Sequence, residues 1–126
     1  MAKLLVVDDD PNLRDLLRLH LRSVGHSVRT ASEPGEAIRA ILAEKPDLVL
    51  CDIKMPYLSG LELMEALRGD PSTGDIPLIV LTGSDSADDQ LRARRLGVSA
   101  YLEKPVSVEE LLAAIETGLQ RVRKVA

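Results

Sequence analysis

Five short apolar runs punctuate the chain, and each is followed by a stretch whose apolar residues recur at helical spacing. The runs at 4–7, 47–52 and 76–82 carry no apolar–polar alternation, as expected of strands buried on both faces. Shorter runs at 27–31 and 99–103 complete the set. Strands that alternate with helices imply a parallel sheet covered by helices on both faces. Right-handed crossovers then place ligands beyond the carboxyl ends of the strands, beside the topological switch point.

Local signals bound the helices. Asp10 suits the N-cap and Pro11 the first position of a helix whose stripe is Leu13, Leu16, Leu17, Leu21 and Val24, ended by Gly25. A second helix is expected over 34–44, with Ile38, Ile41 and Leu42 facing inward and Pro46 as its stop. Pro56, Ser59 and Gly60 read as a loop. Leu61, Met64, Ala66 and Leu67 predict a third helix ending before Gly69. Residues 87–96 predict a fourth, whose charges, including Arg92, Arg94 and Arg95, leave a thin apolar face. Ser107 opens a capping-box pattern before the last stripe, Val108, Leu111, Leu112, Ile115, Leu119 and Val122.

With 126 residues, the chain reads as a single domain spanning 1–126, with its core over about 3–122 and residues 123–126 fraying or opening a linker. A net charge of -4 argues against direct nucleic-acid binding. The single cysteine, Cys51, excludes an internal disulfide and a multi-cysteine zinc site. His20 and His26 lack ligand spacing. No apolar run approaches the ~18 residues of a membrane span. The amino terminus carries no signal-peptide pattern, so a cytoplasmic setting is expected.

The chemistry collects just past the strands. The first strand is followed by Asp8, Asp9 and Asp10, the third by Asp52; the fourth ends in Thr82, and Lys104 follows the fifth. In a parallel sheet these ends share one edge. Clustered carboxylates repel one another and raise each other's pKa, a cost that a divalent cation removes. Hard oxygen ligands of this kind suit Mg²⁺ completed by phosphate oxygens. A lysine binds phosphate as a point charge, a threonine hydroxyl can donate to a phosphoryl oxygen, and a carboxylate can itself be the nucleophile. The set reads as metal-assisted phosphoryl transfer to an aspartate.

LLVVDDD, PDLVLCDIKMPYLSG, PLIVLTGS and AYLEKPV, in this order and spacing, resemble the receiver domain of two-component response regulators over essentially the whole chain. The resemblance implies a flavodoxin-like (CheY-like) (βα)5 doubly wound sandwich with strand order 2-1-3-4-5. It implies transfer from a histidine kinase or histidine phosphotransfer protein onto Asp52, and Mg²⁺, with Mn²⁺ as an alternative, held by Asp9, Asp52 and the Lys54 main-chain carbonyl, and by Asp8 largely through water. It implies that Lys104 and Thr82 contact the phosphoryl group, that Tyr101 changes rotamer with Thr82, and that the Lys104–Pro105 peptide is cis. Lys54 and Ser84 occupy the positions that tune phosphoryl lifetime in similar proteins. The implied output is an altered face of the fourth helix, fifth strand and fifth helix, read by an effector protein or by an output domain on a longer chain. A homodimer through the fourth and fifth helices is compatible with the same resemblance. Departures are Val106, where the family often has Phe, and Gly83, where Ala is common.

Two other readings compete with a phosphorylation-dependent switch that is no metabolic enzyme. Asp8-x-Asp10 faintly resembles the nucleophile motif of haloacid-dehalogenase-type phosphatases, but Asn12 departs from it and Asp52 would then have no role. A phosphorylation-independent docking module would not require the full set of Asp8, Asp9, Asp52, Thr82 and Lys104.

Overall fold

The computed structural model describes residues 2–55, 59–83 and 86–125. Five strand–helix units follow in order: β1 (Lys3–Val7), α1 (Pro11–Ser23), β2 (Ser27–Ala31), α2 (Pro34–Ala43), β3 (Leu48–Cys51), α3 (Gly60–Gly69), β4 (Leu78–Thr82), α4 (Ala87–Arg95), β5 (Ala100–Glu103) and α5 (Val108–Val125). All four strand pairings are parallel and the sheet order is β2-β1-β3-β4-β5. The order implied by the resemblance to receiver domains is therefore the one observed. The switch point lies between β1 and β3, where consecutive crossovers leave in opposite directions.

The sheet divides two cores. Leu5, Val7, Val49, Cys51, Leu78 and Val80 face a layer that includes Ile41, Leu61, Leu63 and Met64. Leu4, Val6, Leu48, Leu50, Ile79 and Leu81 face Leu17, Leu21, Leu111, Ile115 and Leu119. Both sides of β1, β3 and β4 are thus apolar, which explains runs without alternation.

Helix caps follow the sequence. The Asp10 carboxylate accepts from the Asn12 and Leu13 N–H groups, and the Ser107 hydroxyl accepts from the Glu110 N–H. Gly25 adopts φ +97°, a backbone state favourable only to glycine among ordinary residues.

The inward faces needed correction at particular residues. Leu16 and Val24 are half exposed, Leu42 is mostly exposed, and Ala66 is exposed, whereas Leu63 is fully buried. Period alone gives the direction of a stripe but not its width, and helices on an open sheet bury a narrow one. Gly60 opens α3 instead of lying in the preceding loop. The Val122 side chain and Ser84 lie outside the described residues.

Candidate functional site

Register brings the acids together. Val7 pairs with Cys51 across β1 and β3, so Asp8 and Asp52 each stand one residue beyond the same rung. Their backbones are tied down: the Asp8 N–H donates to the Ala31 carbonyl (3.1 Å) and the Asp52 N–H to the Val7 carbonyl (2.9 Å). On the far side of β3, Thr82 pairs with Glu103, and the Lys104 N–H donates to the Thr82 carbonyl (2.8 Å). β5 lies two strands from β3 and three from β1, and the long lysine stem spans that gap. The Lys104–Pro105 peptide is cis.

Lys104 Nζ donates to Asp8 Oδ2 at 2.8 Å and to Asp52 Oδ2 at 3.0 Å. The second oxygen of each acid is held by main chain: Asp8 Oδ1 accepts from the Asp10 N–H (2.9 Å) and Asp52 Oδ1 from the Lys54 N–H (3.2 Å). Asp8 and Asp52 are buried, while Asp9 is exposed at the mouth. Thr82 is fully buried at the end of β4, and Tyr101 is half-buried against the α2–α3 core. The edge thus gathers Asp8, Asp9, Asp52, Thr82 and Lys104, while Asp10 is spent capping α1.

Three carboxylates face one ammonium, leaving an excess of negative charge. Burial raises the Asp8 pKa above its ordinary value, and the Lys104 hydrogen bond and charge only partly counter it. Burial alone would lower the Lys104 pKa, but its hydrogen bonds to Asp8 and Asp52 outweigh that and hold it above the ordinary value. Burial, reinforced by the charges of Asp52 and Asp8, pushes the Cys51 thiol far up, so it behaves as a small core residue.

The donor set fits a small divalent ion. Asp8, Asp9 and Asp52 each offer a carboxylate oxygen within 4.8 Å of the others. Opposed ligands around Mg²⁺ lie roughly 4 Å apart, so these oxygens are close to one coordination shell. The charge excess supplies the electrostatic reason to bind it.

Two supporting residues escaped the sequence reading. Gly60 packs so closely on the acid-bearing loop that a Cβ there would stand 2.0 Å from the Asp52 carbonyl oxygen. Arg14 Nη1 donates to the Asp8 carbonyl at 2.7 Å. The glycine had a turn signal that was open to another reading, and Arg14 had none, since it sits on an ordinary helix turn.

A family model described as "Response regulator receiver domain" matches residues 4–116. Among curated proteins, the response regulator MprA of Mycolicibacterium vanbaalenii is 42% identical over 121 residues, covering 95% of this chain and 51% of that protein. MprA of Mycobacterium tuberculosis is 41% identical over 123 residues, covering 97% and 52%. The chain therefore spans about half the length of these relatives. Among solved structures, a CheY-like response regulator receiver domain protein from Methanospirillum hungatei superposes with a TM-score of 0.95 at 31% identity, covering 100% of this chain and 99% of that one. A response regulator receiver domain protein from Clostridium thermocellum gives 0.92 at 31% identity, covering 100% of both. Among the described residues, no helix is long and apolar enough to cross a membrane.

Proposed function

The chain belongs to the response regulator receiver domain family, and we propose that Asp52 accepts a phosphoryl group from a phosphohistidine and so switches the face that partners read. The observation that carries this reading is the buried Asp52 carboxylate held 3.0 Å from Lys104 Nζ, beside Asp8 and Asp9.

An Asp52 oxygen attacks phosphorus, the O–P bond forms, and the P–N bond to the donor imidazole breaks with its electron pair returning to nitrogen. Lys104 exchanges a carboxylate oxygen for a phosphoryl oxygen. Thr82 donates its hydroxyl to the phosphoryl group, and Tyr101 rotates with it, altering the α4–β5–α5 face. Asp8, Asp9, Asp52 and the Lys54 main-chain carbonyl would hold Mg²⁺, with Mn²⁺ as a substitute. The ion supplies charge neutralisation for the transferring group. Lys54 and Ser84, at the positions that tune phosphoryl lifetime in similar proteins, set how fast water removes the phosphoryl group.

An apolar groove of about 480 Å³ between α1 and the start of α5 is lined at one end by the α1 cap Asp10 and shares Lys104 with this edge. Leu13, half-exposed Leu16, Val106 and Val108 line it. Its continuity with the site supports docking of a donor protein, a histidine kinase or histidine phosphotransfer protein, next to Asp52. The output then passes to a cytoplasmic effector or to the remainder of a longer chain. The phosphatase reading is disfavoured because Asp10, its second motif acid, is committed to the α1 cap.

The test is a titration of the Mg²⁺-loaded protein with beryllofluoride, a phosphoryl mimic, followed by amide NMR. Saturable shifts at Thr82, Tyr101 and Lys104, absent in Asp52→Asn, are expected. Shifts that persist in Asp52→Asn would overturn the assignment.

A further inference from the structure

On the opposite edge of the sheet from β5, the molecule carries a concentrated positive site. An open depression of about 560 Å³ straddles β2 and is lined by Arg18 and Arg22 of α1, Arg29 and Thr30 of β2, and Arg39 of α2. Four of the chain's 16 cationic side chains meet there, although the net charge is -4. The one acid in the lining, Glu36, is engaged by the Ser32 hydroxyl (2.9 Å) and N–H (3.4 Å).

Two of these arginines are structurally committed. Arg29 donates to the Ala40 and Glu44 carbonyls at the end of α2 (2.6 and 2.5 Å), and Arg22 donates to the Val28 carbonyl (3.1 Å). The other two are not. Arg39 has no hydrogen bond or ion pair among the described residues. Among the described residues, Arg18 pairs only with Asp15, at 3.1 Å on the surface, a contact worth little. Arg18 Nε is also the one buried side-chain nitrogen without a partner among the described residues. An orphan donor of this kind marks an unsatisfied site that an ion or water would complete.

The backbone adds donors. Ser27 and Ala31 bond toward β1. By the alternation of a parallel ladder, the Val28 and Thr30 peptide groups point outward from the sheet into the edge. Arg22 occupies the Val28 carbonyl, which blocks a sixth strand and favours a compact ligand over an extended peptide.

We propose that this α1–β2–α2 edge binds a ligand carrying a diphosphate or longer phosphate chain, held by the guanidinium groups of Arg18 and Arg39 and the Thr30 N–H. Planar guanidinium forks match phosphate oxygens in pairs. The volume exceeds what a single phosphate needs and lies in the range of small-molecule sites. Turning Arg18 toward the ligand gives up a weak surface pair and supplies its orphan Nε with a partner.

The test is an amide and arginine side-chain NMR titration of the metal-free protein with inorganic pyrophosphate, a nucleoside diphosphate, orthophosphate and the nucleoside. Saturable shifts at Val28, Thr30, Arg18 and Arg39 are expected with pyrophosphate. Equal affinity for the nucleoside diphosphate assigns recognition to the phosphates alone, and tighter binding assigns a contribution to the base. Arg18→Gln/Arg39→Gln should weaken binding at least about 10-fold, and Arg18→Lys/Arg39→Lys should fail to restore it, because the ammonium lacks the fork. Both variants should keep beryllofluoride binding at Asp52, which separates this site from the phosphoacceptor. No saturation by pyrophosphate, affinity no better than for orthophosphate, shifts confined to Thr82 and Lys104, or unchanged binding in the glutamine variant would each overturn the proposal.

Discussion

The Lys104 ammonium and the Asp52 carboxylate sit 3.0 Å apart, although 52 residues separate them in the chain. Lys104 bridges in the same way to Asp8 at 2.8 Å. One cation thus holds two buried acids that would otherwise repel each other across adjacent strands. In Lys104→Met, the metal-free protein should lose about 1–3 kcal/mol, since an uncompensated buried charge is left behind. Mg²⁺ should then raise the melting temperature more in the variant than in the wild type, because it binds the folded acids only. Thermal melts with and without Mg²⁺ check this, and an unchanged metal-free melting temperature would contradict it.

Burial raises the Asp8 pKa, with Lys104 only partly opposing it. An acid whose pKa is higher folded than unfolded favours the fold below its unfolded pKa, and that contribution is lost as pH rises through the folded value. In the metal-free protein at neutral pH, ionised Asp8 therefore costs stability. Asp8→Asn should stabilise the metal-free protein by about 1 kcal/mol at pH ~7, a shift of a few degrees. The gain should vanish toward pH ~3, where the wild-type carboxyl is protonated in both states. Melts across that range measure it, and a variant less stable at neutral pH would refute the electrostatic account.

Gly60 approaches the Asp52 carbonyl so closely that any Cβ must displace backbone. Gly60→Ala should cost about 1–3 kcal/mol and weaken Mg²⁺ binding, because the loop bearing Asp52 must move. Gly83 is the control: nothing among the described residues lies within 4 Å of a Cβ there. Gly83→Ala should be neutral or stabilise by up to about 1 kcal/mol through the unfolded chain. Urea unfolding of the two variants, side by side, decides the matter.

Arg68 works as a staple. Its guanidinium donates to the carbonyls of Leu96 (2.7 Å), Gly97 (3.4 Å), Gly74 (3.0 Å) and Ile76 (2.6 Å), joining α3, the loop before β4, and the end of α4. Burial lowers its pKa, with the nearby Asp75 charge opposing, but an arginine stays protonated. Arg68→Met should cost about 2–4 kcal/mol by leaving several carbonyls without donors. Arg68→Lys should recover little, because an ammonium cannot reach four carbonyls in a planar fork. Hydrogen exchange should speed first at residues 96–98.

The strands and the strand-end residues were legible because each depends on local pattern. A short apolar run closed by an acid or hydroxyl says strand and edge at once, and Asp8, Asp52, Thr82 and Lys104 met where the parallel order puts them. The phase of the helices was less legible. Leu16 and Leu42 belong to stripes by spacing, yet one lines the groove beside α5 and the other faces solvent. The tertiary partner decides how wide a stripe is buried, and the sequence does not contain its position. Arg68 and the arginines around β2 were invisible for a related reason. Their partners are carbonyls and neighbours brought close only by the fold.

The central claim is that Asp52 is the acceptor, and intact-protein mass tests it most directly. The protein is incubated with Mg²⁺ and acetyl phosphate, alongside Asp52→Asn and a chelated control. The account predicts a gain of one phosphoryl group in the wild type, lost on chelation and absent in Asp52→Asn. An equal gain in Asp52→Asn would contradict it.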